Sequence, residues 1–331
     1  LISKHHYMLL LLLSALALIS FLVSLRSGSV NLNLLTVVQQ LFAPEPGLEQ
    51  QIVRELRLPR SLSAFVVGGL LALAGVIMQV LLRNPLADPY ILGVSGGAAV
   101  AALAAILLGF SGTWIANSAF TGALFSIFIV FGLASGFSQN SQWSATRLLL
   151  TGVVVSAGWG AIINILLTTS SDNNVHSMLF WLMGDLSQSR VGVTHFLLLL
   201  TGLLLTLWLA RSLNALARGE LLAASLGVNV IRLKLLLYFS TSVLTASAVT
   251  IAGSVGFVGL VIPHMLRLLG ARDHRILLPC SVLLGGSFLM IADSVARTVV
   301  APQQLPVGVV TAIIGVPTFL FIMRRSSRQL L

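Results

Sequence analysis

The densest group of side chains able to do chemistry is a run of arginines at three-residue spacing, Arg54, Arg57 and Arg60, within Arg54-Glu55-Leu56-Arg57-Leu58-Pro59-Arg60. A guanidinium is a planar, permanently charged fork that pairs bidentately with carboxylates. Such a run can therefore form a docking surface for an acidic partner. It can equally hold three long side chains whose stems lie in an apolar layer while their heads reach the headgroups. Spacing alone leaves both readings open. Asp293 and Arg297 form a second constellation. Four positions apart on a helix, they share one face and can pair locally, or mark a functional site close to the membrane.

The groups that catalysis would need are missing. The sequence contains no His-Glu-x-x-His helix and no paired intramembrane aspartates. His264, in Ile262-Pro263-His264-Met265, has neither a nucleophile nor a carboxylate beside it in sequence and reads as a structural histidine. Asp172, His176 and Asp185 are spaced like side chains of a solvated loop rather than metal ligands. The single cysteine, Cys280, follows Pro279 in an apolar run and reads as a small buried hydrophobe. A phosphate-binding loop needs a lysine after glycine, but the two lysines, Lys4 and Lys234, follow serine and leucine. If ATP drives this protein, another subunit must bind it.

The elements that would position these residues are membrane helices. Of 331 residues, 57% are hydrophobic and 8% charged, against about a quarter charged in soluble domains. The formal charge of +10 is spread singly or in small groups between apolar runs, which argues against nucleic-acid binding. About 20 apolar residues cross the hydrocarbon core, and ten segments meet or approach that length: 7–25, 58–82, 92–109, 114–136, 147–168, 193–210, 231–252, 257–269, 276–295 and 307–323. The first reads as a span rather than a cleaved leader, because its apolar run is about as long as a full membrane crossing. The eighth is short and holds Pro263, so it is expected to bend or to span only partly. With both termini cytoplasmic, thirteen basic residues fall inside and six (Arg26, Arg54, Arg57, Arg60, Arg190 and Arg297) outside, the sign of the positive-inside rule. All nine carboxylates map to loops or helix ends, which leaves no mid-membrane acid for an ion-coupled carrier.

Two polar segments interrupt the spans. Residues 170–190 are expected outside as a surface helix or re-entrant cap. Residues 211–229 are expected inside as two short helices broken near Gly219 and closed by Gly227. This inner segment is too apolar for a bare loop and too short to span, so a cytoplasmic partner would bury it. No linker divides the chain, which reads as one membrane domain over 1–331.

Several motifs then follow one another in order: Arg57-Leu58-Pro59-Arg60, Gly75-Val76-Ile77-Met78-Gln79, Arg83-Asn84-Pro85-Leu86-Ala87-Asp88-Pro89, Leu92-Gly93-Val94-Ser95-Gly96-Gly97, Trp181-Leu182-Met183-Gly184, Gly256–His264 as Gly-Phe-Val-Gly-Leu-Val-Ile-Pro-His, Asp273-His274-Arg275, and Leu305-Pro306-Val307-Gly308-Val309-Val310-Thr311. Together they resemble the FecCD-type permeases of type II ABC importers, which carry ferric siderophores, haem and vitamin B12. The resemblance implies an all-α polytopic subunit of ten transmembrane helices in an inner membrane, not an enzyme by itself. It also implies a second copy or close paralogue, two cytoplasmic ATP-binding cassette subunits that hold the ATP and Mg, and a periplasmic binding protein. No cofactor is expected in this chain. By the same resemblance, Arg57, Arg60 and Arg297 would receive glutamates of the binding protein. Ala217, Arg218, Gly219, Glu220, Leu222, Ala223, Leu226 and Gly227 would couple to the ATPase, and Asn84, Leu86, Ser144, Ala145 and Thr146 would close the path on the cytoplasmic side. The cargo is expected to be a metal chelate, with an oxyanion such as molybdate as the alternative.

Overall fold

The computed structural model describes residues 4–28, 30, 32–44, 46–135, 145–187, 189 and 191–327. Each of the ten apolar segments coincides with a helix. They are α1 (Lys4–Arg26), α4 (Leu58–Leu81), α5 (Val94–Leu107), α6 (Gly112–Ser135), α7 (Ala145–Thr169), α9 (Val193–Trp208), α12 (Val230–Ala252), α13 (Val258–Leu268), α14 (His274–Thr298) and α15 (Val307–Ser327). Short helices join them: α2 (Leu34–Phe42), α3 (Leu48–Gln50), α8 (Asp172–Met183), α10 (Ala210–Arg218) and α11 (Glu220–Ser225). Among the described residues, six helices are long and apolar enough to cross a membrane.

The architecture is that of an all-α polytopic membrane protein built around α4, which is almost wholly buried, while α7 has few buried residues on the single chain. The reason lies in side-chain size. The α4 sequence carries Gly68, Gly69, Ala72, Ala74 and Gly75 along its length, and small residues let membrane helices approach until backbones touch. A Cβ on Gly68 would overlap the Gly285 carbonyl of α14, and one on Gly75 would overlap the Gly259 carbonyl of α13.

Three departures from regular spans carry meaning. At 11 residues, α13 is roughly 16 Å long and falls well short of the ~30 Å core, as its length and Pro263 predict. Its N-cap is Phe257, a non-glycine residue with φ of 69°. The segment expected at 92–109 is likewise a 14-residue helix, α5, preceded by a 3-10 turn over Pro89–Leu92. The expected span 193–210 ends where the chain turns, because α9 and α10 meet at 61°. The helix leading into α4 also begins ten residues before the expected boundary. Residues Leu48–Leu81 run as one helical rod that includes a π-helical stretch over Gln51–Arg57. Its alternating Glu49, Arg54, Glu55 and Arg57 conceal that extension from a reading by hydropathy.

Candidate docking and coupling sites

At the end of the bundle that the arginine distribution predicts to be outside, Arg57, Arg60 and Arg297 converge on one cavity of about 520 Å³, also lined by Glu55, Ser187, Ser189 and Gln304. The three guanidinium groups are not free arms. Each is buried and held from within the chain. Arg60 grips Asp293 through Nε (2.9 Å to Oδ1) and Nη2 (2.8 Å to Oδ1), while its Nη1 donates to Gln304 Oε1 at 2.7 Å. Arg297 Nε lies 3.0 Å from Asp293 Oδ2, so the local pair expected from the four-residue spacing forms. One fully buried carboxylate thus serves two guanidinium groups.

The remaining donors solve a helix-end problem. The last carbonyls of α1 have no partner within the helix, and cations are favoured there by the helix dipole. Arg57 Nη1 donates to Leu25 O (2.9 Å) and Arg26 O (2.7 Å), and Nη2 donates to Val30 O. Arg297 Nη2 donates to Ser24 O at 3.1 Å, and Nη1 donates to Ser27 O at 3.3 Å. The spacing of the arginines shows none of this, because the acceptors are backbone atoms about 30 and 270 positions away. Arg54 remains exposed, and Arg190 lies outside the described residues. With three guanidinium groups against Asp293 and Glu55, the cavity keeps a surplus of positive charge.

At the opposite end, α10 and α11 form an elbow broken at Gly219, whose φ of 137° suits glycine, and closed by Gly227 with φ of 79°. Of the residues expected to couple, Ala217, Arg218, Leu222, Leu226 and Gly227 are exposed, Gly219 and Glu220 are half-buried, and Ala223 is buried. Leu221, not among those expected, is 89% exposed beside Leu226 at 65%. An apolar row this open on a six-residue helix is a surface for covering.

The elbow's inner side is tied down by polar contacts that residue types alone do not reveal. Asn214 of α10 donates Nδ2 to Asp273 Oδ1 at 2.8 Å and accepts the His274 N–H on Oδ1 at 3.1 Å. Asp273 also caps α14 by accepting the Arg275 N–H at 3.0 Å. Glu220 of α11 pairs with Lys234 Nζ of α12 at 2.7 Å and with Arg83 Nη2 at 3.7 Å. Nearby, Gln79 donates Nε2 to Gly259 O and Leu260 O of α13, and its Oε1 accepts from Arg267 Nη1.

The loop 82–88 joins this end. Asn84 is half-buried and Leu86 is exposed, and the Leu86 N–H donates to Asn84 Oδ1 at 2.9 Å. Asp88 Oδ1 accepts the Tyr90 N–H at 2.8 Å, and burial raises the Asp88 carboxyl to about 6. Tyr90 Oη accepts the Val255 N–H at 3.2 Å, joining the turn before α5 to the break before α13. Of the other expected gate residues, Ser144 lies outside the described residues, as do the side chains of Ala145 and Thr146, whose backbone opens α7. Beside the arginine cavity, Asp185 accepts from the Ser187 N–H and hydroxyl, and on α8 His176 lies against Phe180 with ring centroids 4.7 Å apart. Among the described residues, no three His, Cys, Asp or Glu side chains gather as metal ligands do.

Comparison with known proteins places these two ends in a context. The FecCD transport family profile matches residues 16–325. The cobalamin import system permease protein BtuC of Halobacterium salinarum is 43% identical over 282 residues, covering 84% of this chain and 75% of the relative. The vitamin B12 import system permease protein BtuC of Escherichia coli is 38% identical over 325 residues, covering 96% and 95%. The ABC transporter permease protein YvrB of Bacillus subtilis is 40% identical over 286 residues, covering 84% and 80%. Among solved structures, an inward-facing conformation described as a metal-chelate type ABC transporter superposes with a TM-score of 0.83 at 34% identity, covering 96% and 98%.

Proposed function

The chain belongs to the FecCD transport family as an ABC importer permease, and on that premise we propose that it forms the translocation path for a metal chelate, cobalamin foremost. The observation that carries this reading is the two-ended design. A cavity with surplus positive charge lies at one end of the bundle and an apolar elbow braced from within lies at the other. Cobalamin is favoured over ferric siderophores, haem or molybdate because the relatives at 43% and 38% identity are named as cobalamin and vitamin B12 permeases.

In this reading the protein is a multi-pass subunit of a bacterial inner membrane with both termini cytoplasmic. ATP and Mg are bound by two separate cassette subunits, which cover Leu221, Leu222 and Leu226. A periplasmic binding protein presents carboxylates to the cavity of Arg57, Arg60 and Arg297. Since these guanidinium groups already hold internal partners, a docking carboxylate shares them at the cavity mouth rather than capturing free side chains. A second copy packs on α7, where Val154, Ala157, Gly158, Ala161 and Ile165 leave a face of mostly small exposed residues. Closure of the cassettes pushes the elbow, and helices tilt as rigid bodies to open the path on one side at a time. The loop at Asn84 and Leu86, with the turn at 144–146, closes the cytoplasmic side.

Reconstitution tests this. The chain is placed in liposomes with the cassette subunit and binding protein of its own system, and ATP-dependent uptake of cobalamin, ferric siderophore, haem and molybdate is compared. Uptake of cobalamin alone is expected. ATP-dependent uptake of another of these would replace the cargo, and uptake driven by an ion gradient without ATP would overturn the importer reading.

A further inference from the structure

We propose that Lys234 is a positioning residue that holds Glu220, and thereby ties the coupling elbow to α12 and to the loop 82–88. The proposal rests on the reading of α10 and α11 as the cassette contact and deepens it.

Lys234 sits in the second turn of α12, and its side chain is 6% exposed. An ammonium so far removed from water needs a counter-charge in contact. Glu220 supplies it at 2.7 Å through Oε2. Glu220 is the first residue of α11, immediately after the break at Gly219, so the pair fixes the point at which the elbow bends. The other oxygen, Oε1, faces Arg83 Nη2 at 3.7 Å. That contact is half-exposed and weak by itself, but Arg83 stands at a defined place. Its φ of 48° ends α4, with the Arg83 N–H donating to Val80 O and the Asn84 N–H to Gln79 O. Gln79 in turn holds α13 through two carbonyls. A displacement of α11 therefore reaches α12 directly through Lys234, and reaches the α4 terminus and its loop through Arg83. Without Lys234, Glu220 is exposed enough to turn to water, and the elbow keeps the Asn214 contacts and the buried Leu213, Leu216 and Ala223 but no polar tie from α11 to α12.

The test compares Lys234→Met with Lys234→Arg. Methionine keeps the buried volume and removes the charge, so the fold is retained, and arginine restores the charge. In the permease alone in nanodiscs, amide hydrogen exchange over 219–226 and 82–88 is expected to quicken at least threefold in Lys234→Met and to stay near wild type in Lys234→Arg. In the complex with its cassettes, Lys234→Met is expected to lower transport per ATP hydrolysed about fivefold or more, with Lys234→Arg close to wild type. Unchanged exchange in Lys234→Met overturns the proposal whatever the cassettes do. So does quickened exchange with an unchanged coupling ratio, because the tie would then carry no motion. Failure of the wild-type elbow to bind any cassette would instead overturn the coupling reading, and the exchange result would decide the role of Lys234 separately.

Discussion

Replacing Asp293 with asparagine removes one carboxylate and leaves two guanidinium groups facing each other in a buried site. Arg60 and Arg297 approach Asp293 at 2.8 and 3.0 Å, and the three side chains are 10%, 7% and 0% exposed. At an effective dielectric of about 20, opposite charges ~4 Å apart attract by about 4 kcal/mol, and breaking a buried pair typically costs about 3–5 kcal/mol. Two guanidinium groups lose their partner here, but Gln304 and the α1 carbonyls still accept from both. The expected net cost is therefore about 4 kcal/mol, roughly a thousandfold in the unfolding equilibrium. Equilibrium unfolding in mixed micelles, followed by tryptophan fluorescence, measures it. A triple variant, Arg60→Met with Asp293→Leu and Arg297→Met, removes the charges together and is expected to cost less than half as much, because no ion is stranded. A cost below about 1 kcal/mol for Asp293→Asn, or a triple variant worse than the single one, would refute the reasoning.

Changing Leu221 and Leu222 to glutamate is expected to leave the chain's own stability unchanged and to weaken cassette association by at least tenfold, since each leucine buried in a contact contributes about 1.5–3 kcal/mol; pull-down titration measures this. Burial raises the Asp88 carboxyl to about 6, so the native state binds the proton more tightly than the unfolded chain. Stability is then expected to fall as pH rises from about 4 to about 6. Asp88→Asn, which keeps a cap oxygen for Tyr90, should flatten that slope and add up to about 3 kcal/mol at pH 7.5 in the same unfolding assay. Gly68→Val drives a side chain into the Gly285 carbonyl and is expected to cost about 3 kcal/mol. Gly158→Val meets open space on the single chain and should spare monomer stability while lowering self-association in light scattering.

Hydropathy located ten helices because lipid imposes its own length on apolar runs, and the shortness of the eighth was visible in its apolar run and in Pro263. The elbow's glycine break at Gly219 was legible for the same local reason: only glycine accepts that backbone geometry without strain. What the sequence concealed are partners far apart in the chain. The arginines could be located but not their occupation, since Asp293 lies 233 positions from Arg60 and the acceptors of Arg57 are carbonyls with no side-chain signature. Lys234 looked like an ordinary flanking cation. Its role depends on Glu220, which the bend at Gly219 turns back against α12.

The glycine seams of α4 have a consequence for how the chain is made. This helix leaves the ribosome early, yet the Gly285 and Gly259 surfaces that cover it, and the Asp293 that satisfies Arg60, are synthesised about 200 residues later. At ~5–20 residues per second, the most buried helix waits roughly 10–50 s with its packing face open and an arginine unpaired. During that interval α4 must be sheltered by insertion machinery or by lipid, and the centre of the bundle is the last part of the molecule to become dry.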